Sequence, residues 1–156
     1  MNGAYQHLLI NHIPVLGSFI GTLILLWGIL RKSREVQQVA FAVLLVGGLM
    51  GWLADSTGDK AKEVVKNIAG VNTDAIDAHD EAASRAKQAG LVLAVASLAG
   101  LIWMARKPQI PGWYALIVLV VALGVSGMMG YTAKLGGKIR HSETESSPAT
   151  TPSSVK

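Results

Sequence analysis

The chain is expected to be all-α: a four-helix transmembrane bundle with a short amphipathic helix in its long external loop and an extended third helix. Three observations carry that expectation. Hydrophobic residues make up 51% of the 156 residues and charged residues only 15%. The charges are confined to a few short stretches. Between them lie four apolar runs, at about 13–30, 36–54, 89–105 and 113–131, each approaching the roughly 17–25 residues a helix needs to cross a hydrocarbon core. A soluble bundle would leave no amphipathic layer to cover four such runs.

The first run, IPVLGSFIGTLILLWGIL, contains no charge. Asn11 is placed to cap it, with Pro14 tolerated in the first turn, where backbone amides lack intrahelical partners. It lacks the basic leader of a signal peptide, and a basic cluster follows it. Trp27, Trp52, Trp103, Trp113 and Tyr114 fall near predicted helix ends, where amphipathic aromatics settle at the headgroup level. Pro108, Pro111 and Gly112 break the chain between the third and fourth spans.

Between the second and third spans, Ala61, Val64, Val65 and Ile68 follow an i, i+3, i+4, i+7 pattern, one apolar stripe on a short helix over residues 59–68. Gly70 is expected to end it. Asn72 or Thr73 then caps a helix with Asp74 and Asp77 in its first turn, running unbroken into the third span. From Asp74 to Ala105 that helix would measure roughly 48 Å at 1.5 Å per residue and project beyond the bilayer. Residues 1–141 form the membrane domain. The Ser/Thr/Pro-rich tail, 142–156, has too few apolar groups to fold and is expected to be disordered.

Short loops set the orientation. RKSRE after the first span has three bases and one acid, and Arg106-Lys107 follows the third. Residues 55–88 carry seven acids against five bases, and the first twelve residues carry no charged side chain. Both basic turns are therefore expected in the cytoplasm, with the N-terminus, long loop and C-terminal tail outside. Glycines recur at helical spacing (Gly17, Gly21, Gly28; Gly47, Gly48, Gly51; Gly124, Gly127, Gly130), which in lipid lets backbones approach closely. Packing within one bundle is favoured over a homodimer. No ionisable group lies mid-span, and the polar candidates Thr22, Gln37, Gln38, Ser97 and Ser126 form no row, which argues against transport.

The formal charge of +4 is not arranged as a basic stripe interleaved with aromatics, so nucleic-acid binding is not expected. With no cysteine, disulfides, thiolate metal sites and covalent haem attachment are excluded. Chemistry falls to the four histidines. His7 and His12 precede the first span, His79 precedes the third and His141 follows the fourth, all on the outer side of this topology. His12 and His79 are the leading ligand candidates, for haem b or a divalent transition metal, with His141 a further metal candidate. Imidazole suits both, and histidines on two facing helices are the arrangement of a bis-histidine haem. Beyond His79, Ala82, Ala83, Ala86 and Gly90 leave space on its face, and Asp77, Asp80 and Glu81 could orient its second nitrogen. His79 sits about seven residues above the mouth of its helix. A shared haem therefore requires the N-terminal segment to rise as a helical extension, or the third helix to sink. The bland alternative is an interfacial histidine beside ordinary small-residue packing.

The stretch STGDKAKEVVKNIAGVNTDAIDAHDEAA, the opening NHIPVLGSFIG and the closing YTAKLGGKIRH resemble a family of bacterial four-helix inner-membrane proteins of unassigned function. The matching features are His12, Thr57-Gly58, His79-Asp80-Glu81 and Gly136-Gly137, with Arg140-His141 beyond. The resemblance implies the four-helix inner-membrane fold and a haem or metal role for the histidines, and assigns no reaction; with the orientation read from the loops, the chain is expected to be a multi-pass inner-membrane protein with periplasmic termini. Two functions follow: a redox-associated membrane protein with a histidine site on its periplasmic face, or a cofactor-free accessory or assembly subunit of a larger membrane complex. An enzyme using His79 with Asp80 as general base lacks any nucleophile or metalloprotease motif, so no enzyme is expected.

Overall fold

A computed structural model describes residues 3–67, 71 and 73–139; His141, Gly70, Asn72 and the predicted tail lie outside the described residues. Five helices follow one another: α1 (Gly3–Ile10), α2 (His12–Leu30), α3 (Arg34–Val65), α4 (Thr73–Arg106) and α5 (Gly112–Lys138). No strand occurs among the described residues. Four stretches are long and apolar enough to cross a membrane: Tyr5–Leu30, Arg34–Val65, Thr73–Arg106 and Gly112–Lys138. Between 33% and 39% of each apolar window is buried in the bundle, so most of it faces outward. Such a surface is stable only against lipid, where helices satisfy every backbone polar group internally.

The helices form a ring. α2 packs on α3 and α5, α4 packs on α3 and α5, and α1 lies against α3. The two short connections, α2–α3 and α4–α5, close one end of the bundle, the turn end. The N-terminus, the α3–α4 connection and the C-terminus of α5 share the other end.

Asn11 is not a helix cap. It adopts helical angles (φ −61°, ψ −24°), makes no side-chain cap bond, and its amide donates to the His7 carbonyl at 2.9 Å. It joins α1 to α2, so residues expected to precede the first span extend it instead. The amphipathic segment after Asp59 is helical through Val65, as its periodicity requires, yet it continues α3 without a break; Ile68 lies outside the described residues. The apparent breakers Ser56 and Thr57 fold their hydroxyls back onto the carbonyls of Leu53 and Ala54, 2.8 Å in each case. A hydroxyl bonded to the preceding turn is compatible with an uninterrupted helix. α4 begins at Thr73 and runs 34 residues, ~51 Å at the helical rise.

The glycines pack within the chain. The Gly17 backbone lies directly against Gly47, with room for a methyl only 3.1 Å from the Gly47 Cα. Gly21 meets Leu44 and Gly28 meets Gln37, whose Nε2 donates to the Gly28 carbonyl at 3.1 Å. Between α3 and α4, a methyl on Gly48 would run into the carbonyl oxygen of Gly90. Large side chains fill the core toward the turn end: Leu25, Phe41, Leu44, Leu93, Met104 and Val118 are all essentially inaccessible. Thr22 and Ser126, which showed no row in sequence, meet across α2 and α5 with their oxygens 3.1 Å apart. In lipid such a bond contributes about 0.6 kcal/mol.

Replacing Gly48 with valine is expected to destabilise the bundle by about 1–3 kcal/mol or more, because the backbones must separate. Replacing Gly124, which has nothing within 4 Å of its would-be methyl, with alanine should leave stability unchanged or raise it by about 0.5–1 kcal/mol. Unfolding curves in detergent compare the two directly.

A candidate histidine site at the bundle end

At the end opposite the turns, α1 brings His7 against His79 of α4. Their ring centroids are 6.4 Å apart and their planes nearly perpendicular, at 82°. His7 donates its Nδ1–H to the Ala54 carbonyl at 3.0 Å, with the Thr57 hydroxyl oxygen at 3.3 Å. His79 donates its Nδ1–H to the Thr132 carbonyl at 2.9 Å. A carbonyl carries no proton, so in each neutral ring the proton sits on Nδ1 and the lone pair on Nε2. Among the described residues, neither Nε2 has a protein partner.

The two halves are built alike. His7 packs its Cε1 against Gly58, four residues beyond the carbonyl that holds it, with 3.3 Å to the position of a would-be methyl. His79 packs its Cε1 against Gly136, again four residues beyond its carbonyl, at 3.1 Å. One turn of helix thus supplies both an acceptor and a gap for the ring edge. This correspondence has a trace in the sequence. GLMGWLADSTG, residues 48–58, recurs as GMMGYTAKLGG, residues 127–137, with Gly48, Met50, Gly51, Ala54 and Gly58 repeated as Gly127, Met129, Gly130, Ala133 and Gly137. The contacts in the second copy are displaced by one residue, onto Thr132 and Gly136. Self-comparison of the sequence would have marked these turns as a pair; the histidine pattern alone did not.

Small residues surround the pair and the layer beneath it. Gly51, Ala54, Ala86 and Gly90 are buried there, and the Met129 methyl fills the gap, 3.6 and 3.5 Å from where methyls on Gly51 and Gly90 would stand. One turn along from His7, the Asn11 Oδ1 is buried without a hydrogen-bond partner.

The predicted ligands divide. His79 lies in the site, on the face that continues through Ala83 and Ala86. His12 is exposed, with its Nδ1 3.3 Å from the Leu8 carbonyl of its own helix. His7, the weaker candidate from sequence, is the histidine that reaches His79. His141 lies outside the described residues. The acids beside His79 do not orient it. Asp80 and Asp77 instead accept from Lys62 of α3, at 2.6 and 3.0 Å, while Glu81 pairs with Arg85. With Lys87–Asp55, these bonds brace the extended ends of α3 and α4 around an open acidic cleft. Among the described residues, no group of three or more His, Asp or Glu side chains is arranged to hold a metal ion.

Comparison with known protein families, with curated proteins and with solved structures gives no match. Fold and site therefore define the class by themselves: a multi-pass membrane four-helix bundle whose first and third spans each bring one histidine to the same end.

The brace has a defined pH range. Hydrogen bonds from Lys62 to Asp80 and then Asp77 raise the lysine above its ordinary 10.5, and the Lys62 ammonium holds the Asp77 carboxyl below its ordinary 3.8. The lysine contribution is complete below 10.5 and lost as pH rises through its raised value. The aspartate contribution is complete above 3.8 and lost as pH falls through its lowered one. Hydrogen-exchange protection of residues 73–80, corrected for the intrinsic rate, should hold steady between those limits and fall outside them. Lys62→Met should lower it throughout.

Proposed function

We propose that this chain is a redox-associated integral membrane protein holding one haem b between His7 and His79. The observation that carries the reading is the matched tethering of the two rings, each with Nδ1–H bonded to a backbone carbonyl and Nε2 left, among the described residues, without a partner. A histidine ligand ordinarily has its second nitrogen fixed in this way, which sets the tautomer and makes the ligating nitrogen more basic.

Ligand number favours haem over a bare divalent ion. His7 and His79, with ring centroids 6.4 Å apart, are the residues that would hold it. A structural zinc site needs four protein ligands. Haem brings four nitrogens of its own and asks only two of the protein. The residues against the two rings, Gly58 and Gly136, are small and offer no competing ligand. With no cysteine, attachment is non-covalent. Bound there, haem would supply a one-electron couple, and His7 and His79 would hold and orient it.

The basic short turns support an orientation with the turn end cytoplasmic and the histidine end outside, which in a bacterial inner membrane is the periplasmic face. A second reading draws on the braced ends of α3 and α4, which project past the apolar spans and would suit a cofactor-free subunit docking within a larger membrane complex.

Oxidised and dithionite-reduced spectra of the purified full-length protein distinguish the two. A low-spin b-type spectrum is expected, lost on His7→Ala or His79→Ala and retained on His12→Ala. Protein supplied with haem that shows no such spectrum, or a His7→Ala variant that keeps it, would leave the accessory reading standing.

A further inference from the structure

We infer that the turn end of the bundle is a binding surface for anionic phospholipid headgroups. Five cations occupy the two short turns and the helix ends beside them, Arg31, Lys32, Arg34, Arg106 and Lys107, against one carboxylate, Glu35. The Arg34 guanidinium donates to the Met104 carbonyl at 2.6 Å, tying the start of α3 to the last turn of α4, so both groups of cations share one surface. No salt bridge involves Arg31, Lys32, Arg106 or Lys107 among the described residues. At the opposite end Lys62, Arg85 and Lys87 are each paired with carboxylates. The positive charge at the turn end is thus left uncancelled by the protein.

Two further features fit a phosphodiester layer. Trp27, Trp103 and Trp113 ring this end and are exposed by 57%, 47% and 63%, with the Arg31 guanidinium 5.7 Å from the centre of the Trp27 ring. Exposed tryptophans at the end of a span lie at headgroup depth, which puts the neighbouring cations at the phosphates. Lys32 also occupies a position where glycine is usual. The α2 C-terminus closes with Ser33 N–H on the Gly28 carbonyl (3.0 Å) and Lys32 N–H on the Ile29 carbonyl (3.1 Å), and Lys32 takes φ 51°. That is the pattern of a Schellman cap, whose left-handed residue is most often glycine. The turn carries a cation at the cost of backbone strain. Anionic lipid attracts each cation near the surface by about a fivefold factor, screened by salt. The inference stands apart from the haem reading, since it involves the other end of the molecule.

The full chain carrying Trp52→Phe, reconstituted in phosphatidylcholine with increasing phosphatidylglycerol, has tryptophans only at the turn end. Quenching by brominated acyl chains of each lipid then measures their relative affinity. Phosphatidylglycerol should be preferred at low salt, and the preference should shrink as salt rises. Lys32→Gly is the sharpest variant: it should raise the unfolding midpoint by relieving the strain, yet lower the lipid preference up to about fivefold. Lys60→Gln, at the opposite end, should leave the preference unchanged. Equal quenching by the two lipids, an undiminished preference in Lys32→Gly, or an equal loss in Lys60→Gln would overturn the inference.

Discussion

The distance between helix backbones governs what this bundle can build. In lipid, apolar side chains gain nothing by leaving the hydrocarbon for the protein interior, so association rests on dispersion contacts that weaken steeply with separation. Gly17 against Gly47 and Gly48 against Gly90 bring α2, α3 and α4 closer than any side chain would permit. The core then divides into two halves. Phe41, Leu44 and Leu93 fill it toward the turns, while toward the other end glycines and alanines narrow it and leave the histidines standing among small neighbours. The separation of His7 and His79 is a consequence of those backbone approaches on the helices below.

That arrangement explains how two histidines can be fixed without any side-chain partner dedicated to both. Each is held by a main-chain carbonyl, which cannot change protonation state, and by a glycine one turn further along. The Thr132 carbonyl, already accepting one bond within its helix, has a second lone pair for His79, whereas the Ala54 carbonyl is shared between His7 and the Thr57 hydroxyl. The cost in sequence is small: one glycine per histidine. The charged brace between α3 and α4 lies just beyond, and its carboxylates are engaged with lysines rather than with the imidazoles.

Most of the fold was legible because lipid imposes a simple rule on sequence. A charge-free run of about twenty residues has one stable conformation, and the positions of Arg31, Lys32, Arg106 and Lys107 marked its turns. Helix ends at the far side were less legible. Asn11 carries a strong capping signal, and Pro14 removes the amide that would bond the Ile10 carbonyl, yet Asn11 keeps helical angles and the interruption is a single residue. Ser56-Thr57-Gly58 reads as a break, but the two hydroxyls bond back to their own helix and Gly58 serves as the seat for His7. The site was half legible for the same reason. His79 was marked by the alanines on its own helix face. His7 was hidden because its importance depends on α1 being helical, and nothing in its own short segment indicates that. The recurrence of residues 48–58 at 127–137 was the available signal, since it singles out the two turns that hold the rings.

The claim on which the functional account stands is that the N-terminal helical extension carries His7, and not His12, to His79. The chain has no cysteine, so pairs can be introduced without background. Cysteines at positions 7 and 79 in membranes, treated with a short bis-maleimide, should cross-link within the chain, while a 12 and 79 pair should not. Cross-linking of the 12 and 79 pair with none between 7 and 79 would contradict the account.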